Sequence, residues 1–179
     1  MPTSIPRLTI DTTTPDDAPT AQDIWTIFHR VVQSGDTYVY PPDTSYEDFI
    51  KAWYASKTYP DIETYVARSD EPVNGIKTVG TYIIKPNFSG QGAHVCNASY
   101  MVHPDCFGHK IGRTLGEHSL VQARSKGYHA MQFNIVVSTN TAAVKLWQSL
   151  GFEIIGTSPK AFNHPTLGLV DTYIMHQFL

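Results

Sequence analysis

At 179 residues, with 41% hydrophobic and 16% charged side chains, the chain can bury a core of its own, and its composition excludes disorder. A net charge of -3 without any block of Lys or Arg argues against a nucleic-acid surface, which needs a basic stripe. No apolar run approaches the roughly 18 residues of a membrane span, and MPTSIPRLTIDTTTP lacks the pattern of a signal peptide.

Two cysteines, Cys96 and Cys106, form neither a disulfide framework nor a zinc pattern, so no metal is expected. The expectation is a cytoplasmic protein with reduced thiols. In chain order, Arg7 to Asp11 reads as a short strand closed by a Thr/Pro/Asp cluster. Thr20 and Asp23 have the capping-box pattern, and Ile24, Ile27, Phe28, Val31 and Val32 recur behind them at helical spacing. SGDTYVYPP ends that helix. Ser45 with Asp48 opens the next, with Phe49, Ile50 and Trp53 as its apolar face. The aromatics here (Tyr38, Tyr40, Tyr46, Trp53, Tyr54 and Tyr59) are either core packing or a pocket wall, and packing is favoured.

ETYVAR and KTVGTYIIKPN, separated by SDEPVNG, predict a hairpin. GAHVCNASYMV is a further strand and runs directly into the glycine turn HPDCFGHKIGRT. A helix is predicted from Ile111 to Lys126, with Gly127 past its end, and MQFNIVV is a strand. Strand, helix, strand in that order predicts a parallel pair with a right-handed crossover. A second helix over 141–150 is closed by Gly151, and FEIIGTS and LVDTYIMHQFL are the closing strands. The sum is one mixed α/β domain over residues 1–179.

The turn HPDCFGHKIGRT leaves the first N–H groups of its helix without partners, and these favour an anion together with the helix dipole. Gly108 and Gly112 allow close backbone approach, while Lys110 and Arg113 add charge. The alternative is a turn that needs glycine for its geometry alone. The spacing fits neither the Walker loop nor the dinucleotide fingerprint.

VHPDCFGHKIG resembles the coenzyme A loop of the GCN5-related N-acetyltransferases, with Val102, Pro104, Gly108 and Gly112 in register. Phe107 stands where Gln or Arg is usual there, and Lys110 where the middle Gly is usual. NTAAVKLWQSLGF resembles the last helix of that family at Asn140, Ala143, Leu146, Gly151 and Phe152, with Trp147 replacing the usual Tyr. GTYIIKPN, HVCNASY and FNIVVSTN are similar to segments of the fungal acetyltransferases that act on L-azetidine-2-carboxylate and other proline-like amines.

The resemblance implies a central sheet of about seven strands with about four helices. It also implies acetyl-CoA as cosubstrate, a small-molecule amine as partner, and a homodimer. The amides of Phe107, Gly108, His109, Lys110, Ile111 and Gly112, with Arg113, would hold the pyrophosphate. A main-chain N–H at Met101 or Val102 would receive the acyl carbonyl. Asn97 would bind the substrate carboxylate and Tyr100 would lie beside the substrate. Asn134 would position the amine or acetyl group, and Asn140 or a water would hydrogen-bond the leaving thiolate.

Asn97 and Tyr100 have opposite parity in a regular strand, so sharing a pocket requires a bulge, which the family carries there. Trp147 cannot donate a proton to sulfur as a tyrosine does. No acid lies in GAHVCNASYMV, so the nearest bases are His94 and His103, although a lone strand histidine is more often structural. The alternatives are an acetyl-CoA-binding sensor without chemistry and an acetyltransferase acting on a peptide or protein amine. A detoxifying role toward an amino-acid analogue fits the first reading.

Overall fold

The computed structural model describes residues 7–54 and 60–179. Tyr59 lies outside them. The first half of the chain forms β1 (Leu8–Thr13), α1 (Ala18–Ser34), α2 (Tyr46–Trp53), β2 (Glu63–Val73), β3 (Ile76–Pro86) and β4 (Val95–Val102). The second half forms α3 (Ile111–Ser125), β5 (Ala130–Val137), α4 (Thr141–Ser149), β6 (Glu153–His164) and β7 (Gly168–Phe178). Short 3-10 turns occupy Gly90–Gly92 and Pro104–Cys106.

Helix α1 starts earlier than the Thr20 pattern predicts. Asp17 is its cap, accepting the Thr20 N–H at 3.3 Å, and Pro19 fits the first turn, where no N–H is needed. Thr20 and Asp23 instead tie the helix to the sheet: the Thr20 hydroxyl accepts from Arg68 at 2.5 Å, and Asp23 accepts from Thr78 at 2.6 Å. The cap of α2 is the expected one, with Ser45 Oγ accepting the Asp48 N–H at 3.1 Å. The hairpin is tighter than expected. β2 runs on to Val73, and Asn74 and Gly75 turn the chain with φ of 50° and 83°, the two positive angles that a two-residue hairpin turn needs.

The seven strands form one sheet in the order β1-β2-β3-β4-β5-β7-β6. Every pairing is antiparallel except β4 with β5, the predicted parallel pair. Helices α1 and α2 cover one face, packing Ile24, Phe28, Phe49 and Trp53 on Val66, Ile83 and Met101. Helices α3 and α4 cover the other, packing Ile111, Leu115 and Trp147 on Tyr82, Cys96, Met131 and Phe133. Trp53 and Tyr54 are fully buried, so this part of the aromatic region is core.

Gly116 lets α3 and α4 close. A Cβ there would lie 2.6 Å from Leu150 Cδ1 and 3.1 Å from the Trp147 ring. Both cysteines are buried and free, and burial pushes the Cys96 thiol up to about 12. Among the described residues no helix is long and apolar enough to cross a membrane.

Candidate active site

The parallel ladder between β4 and β5 is confined to Val95 with Ala130 and Cys96 with Met131. Beyond it the strands part. A register shift between Phe133 and Val136 marks a bulge at Asn134 and Ile135, which bends β5 away. The β3–β4 register is unbroken from Pro86 and Cys96 to Gly80 and Val102. The bulge expected in β4 is therefore absent from that pairing, and the irregularity lies across the fork on β5. With no extra residue in β4, Asn97 and Tyr100 point to opposite faces of the sheet.

Antiparallel hydrogen bonds alternate along a strand, and the His103 N–H bonds Val79 in β3 at 2.9 Å. The main-chain groups of Met101 therefore also turn to β3. Those of Ala98, Tyr100 and Val102 turn into the fork that β5 has left. Of the two donors proposed for an acyl carbonyl, the N–H of Val102 faces the opening.

At the apex of the fork, Asn97 Nδ2 donates to the Gln132 carbonyl at 2.8 Å, replacing a ladder bond where the strands separate. Gln132 Nε2 donates to Asn134 Oδ1 at 2.9 Å, and Asn134 Nδ2 donates to Asn87 Oδ1 at 2.7 Å. These amides form a relay along one side of the opening. The Nδ2 of Asn87 ends the relay buried and without a partner among the described residues.

The far end of β4 leads into the glycine turn. Gly108 and Lys110 are left-handed, with φ of 85° and 59°, so the chain coils tightly before α3. Lys110 holds a shape that glycine adopts at less strain, as its place in the motif predicts. The Phe107 N–H is taken by Pro104 at 3.3 Å, and Arg113 and Thr114 bond back to the Lys110 carbonyl. Between them the N–H groups from Gly108 to Gly112 have no hydrogen-bond partner among the described residues. No side chain caps α3, so its positive end is open to an anion.

The two cations behave differently. Arg113 is turned along the helices, bonding Glu117 at 3.2 Å and the Ser149 hydroxyl of α4 at 2.6 Å. Lys110 is exposed beside the open amides, and Phe107 is 64% exposed at the rim. Asp105, just before the turn, is clamped by Arg30 of α1 through two bonds of 2.7 and 2.9 Å. The Arg30 guanidinium holds that carboxyl below its ordinary range.

A forked parallel pair leading to an uncapped helix agrees with the family model described as the Acetyltransferase (GNAT) family, which matches residues 23–152. The chain belongs to that family. A GCN5-related N-acetyltransferase from Kribbella flavida is 40% identical, with a TM-score of 0.85 over 96% of this chain and 98% of that one. N-acetyltransferase aca1 of Schizosaccharomyces pombe is 35% identical over 99 residues, covering 54% of this chain and 46% of the relative. L-amino acid N-acyltransferase MnaT of Escherichia coli is 31% identical over 61% of this chain and 60% of its own. These matches span less than two thirds of either curated relative. At 23% identity and a TM-score of 0.75, yncA of Salmonella typhimurium, solved with its cofactor acetyl-CoA, shares the fold over 97% of this chain and 94% of its own.

Against the GNAT motifs, the remaining candidates separate into packing and site. Tyr100 lies in the core under α3: its hydroxyl meets Ser119 Oγ at 2.7 Å, and its ring stacks on Tyr82 and meets Trp147 at 4.7 Å. Trp147 is 8% exposed and packs on Phe133 at 4.9 Å, so the indole fills core where the GNAT helix usually presents a tyrosine. Asn140 caps α4, its Oδ1 accepting the Ala143 N–H at 3.1 Å, which leaves its NH2 as the group able to donate to a thiolate.

The two histidines considered as bases lie at the two ends of β4. His103 is 5% exposed and its Nδ1 accepts the Asp105 N–H at 3.3 Å, capping the turn into the loop. Burial first, then Arg30, holds its pKa below the ordinary value. His94 lies at the opposite end of β4, where its ring meets His129 at 5.9 Å in the wall of a shallow cavity of about 500 Å³. Among the described residues no group of His, Cys, Asp or Glu is arranged to hold a metal.

Sequence reasoning missed two contributors to the fork. One is Asn87, visible only as part of a strand end. The other is Tyr38 of the loop after α1, whose hydroxyl bonds both main-chain groups of Tyr100. An aromatic-rich loop was the sole signal for it.

Proposed function

We propose that the protein is an acetyl-CoA-dependent N-acetyltransferase whose acceptor is a small-molecule amine, an amino acid or a proline-like analogue. The observation that carries this reading is the open run of N–H groups from Gly108 to Gly112 beside the unpaired edge of β4. A pyrophosphate fits that run, and an extended thioester-bearing arm fits the fork. The names of aca1 and MnaT support amine acylation and, for MnaT, an L-amino acid acceptor.

In this reading the Val102 N–H donates to the acyl carbonyl, whose oxygen gains charge as the amine attacks. The C–N bond forms and the C–S bond breaks, with the electron pair leaving on sulfur. The nitrogen's extra proton passes to water, since His103 is a buried cap and no acid lines this part of β4. The NH2 of Asn140 donates to the departing thiolate. Asn97 and Asn134 orient the carboxylate and amine of the acceptor from the amide relay. Rate is gained chiefly by holding the two reactants in attack geometry.

The test is thiol release from acetyl-CoA across a panel of amino acids, proline analogues and peptides. Asn97→Ala and Asn134→Ala are assayed alongside. Turnover of a small amine, lowered in both variants, is expected. Tight acetyl-CoA binding without turnover on any amine overturns the reading in favour of a sensor, and turnover of peptides alone overturns the substrate class.

A further inference from the structure

In the fork, β4 has lost its strand partner beyond Cys96, yet one residue there is fully bonded. The Tyr38 hydroxyl donates to the Tyr100 carbonyl at 2.5 Å and its oxygen accepts the Tyr100 N–H at 3.0 Å. A single phenol thus replaces both bonds that a neighbouring strand would supply. The loop that delivers it is set by Gly35, left-handed with φ of 67° at the end of α1. The ring is held by stacking on Tyr40 at 6.1 Å, which in turn meets Phe28 at 5.1 Å.

A phenol has one proton and two acceptor lone pairs. Here the proton is directed to the Tyr100 carbonyl and one lone pair receives the Tyr100 N–H. One acceptor remains. Burial above all raises the pKa of this phenol, so the group stays protonated and neutral. The oxygen lies at Tyr100, one two-residue repeat along β4 from the Val102 N–H, or about 7 Å.

We propose that Tyr38 is a substrate-binding residue, whose remaining lone pair accepts a hydrogen bond from the N–H of the acceptor amine and aims its nitrogen lone pair at the acyl carbon beside Val102. This rests on the N-acetyltransferase reading above. The chemistry selects an uncharged primary or secondary amine that keeps an N–H to donate while its lone pair attacks. A secondary cyclic amine has one such hydrogen, so the contact restricts its approach most, and that hydrogen leaves the phenol oxygen for water once the C–N bond has formed. A primary amine has two and is fixed less strictly. Tyr38 orients and does not act as a base, because its own proton is held by the Tyr100 carbonyl.

The experiment compares the full chain with Tyr38→Phe. Thiol release from acetyl-CoA is followed with L-azetidine-2-carboxylate and with primary L-amino acids, and acetyl-CoA affinity is measured by calorimetric titration. The expected result is a fall of about tenfold in kcat/KM for the amine, the size of one neutral hydrogen bond, and more for the secondary amine than for the primary ones. Acetyl-CoA affinity stays within about threefold, and the pH profile of kcat/KM keeps its shape.

Wild-type turnover with kcat/KM unchanged in the variant overturns this proposal alone. So does an equal loss of acetyl-CoA affinity, which means that the phenol only braces β4, and so does loss of a limb of the pH profile, which means that it is a base. A wild-type chain inactive on every amine overturns the parent reading as well. Should Tyr38→Phe fail to fold, the Tyr38 ring carbon resonance of the wild-type chain is followed instead. A shift on adding amine to the CoA-bound protein supports the contact, and no shift overturns it.

Discussion

Trp147→Phe separates packing from chemistry at the position where the family usually has a tyrosine. The indole is buried against Tyr100 and Phe133, with ring centroids at 4.7 and 4.9 Å, and lies where a Cβ at Gly116 would approach it to 3.1 Å. Truncating a buried Trp to Ala costs about 3–5 kcal/mol, and Phe retains roughly half of the ring, so the loss is about 1.5–2.5 kcal/mol. For a domain of this length each kcal/mol moves Tm by about 2–4 °C, giving a drop of about 3–10 °C. If Trp147 donates nothing to the leaving sulfur, kcat at a temperature well below Tm stays within about twofold of wild type, a difference under 0.5 kcal/mol. Differential scanning fluorimetry and thiol release on the same preparation measure the two effects together. A kcat lowered by about tenfold or more with Tm unchanged would refute the reasoning, because it would place the indole in the chemistry and not in the core.

Three further outcomes follow from the site. Lys110→Ala weakens acetyl-CoA binding by a factor that shrinks as salt is raised, whereas Arg113→Ala changes it by less than about threefold, because Arg113 is already engaged by Glu117 and Ser149; calorimetry at two ionic strengths distinguishes them. His103 is held neutral by burial, so its folded pKa lies below the unfolded value near 6.5, and its contribution is full above that pH and is lost as pH falls toward the folded pKa. His103→Asn keeps an acceptor for the Asp105 N–H, so it flattens the fall of Tm between pH 7 and 5 while sparing amine turnover; loss of turnover makes His103 the base. Gly116→Val drives a side chain into Leu150 and Trp147 and destabilises by about 1–3 kcal/mol, read as a lowered denaturation midpoint; an unchanged midpoint shows that α3 and α4 separate freely.

The elements were legible where local chemistry decides them. Ser45 and Asp48 marked α2, Gly127 marked the end of α3, and the order strand, helix, strand gave the parallel pair. Thr20 misled because its pattern is local, while its hydroxyl is claimed by Arg68, 48 residues away. The glycine turn was legible as a tight strand-to-helix turn with open amides, but the direction of Arg113 was not, because it depends on Ser149 in another helix. The bulge expected in β4 is absent from its pairing with β3, so Asn97 and Tyr100 stay on opposite faces, and the irregularity in β5 had no local signal in the sequence. Tyr38 is separated from Tyr100 by 62 residues, a distance over which no periodicity carries information.

The most direct test of the account is an amide chemical-shift titration of the isotope-labelled chain, first with CoA and then with acetyl-CoA. The account predicts that both ligands shift the amides from Gly108 to Gly112, and that acetyl-CoA alone adds a shift at Val102. Shifts confined to other surfaces, or a Val102 resonance indifferent to the acetyl group while the loop responds, would contradict it.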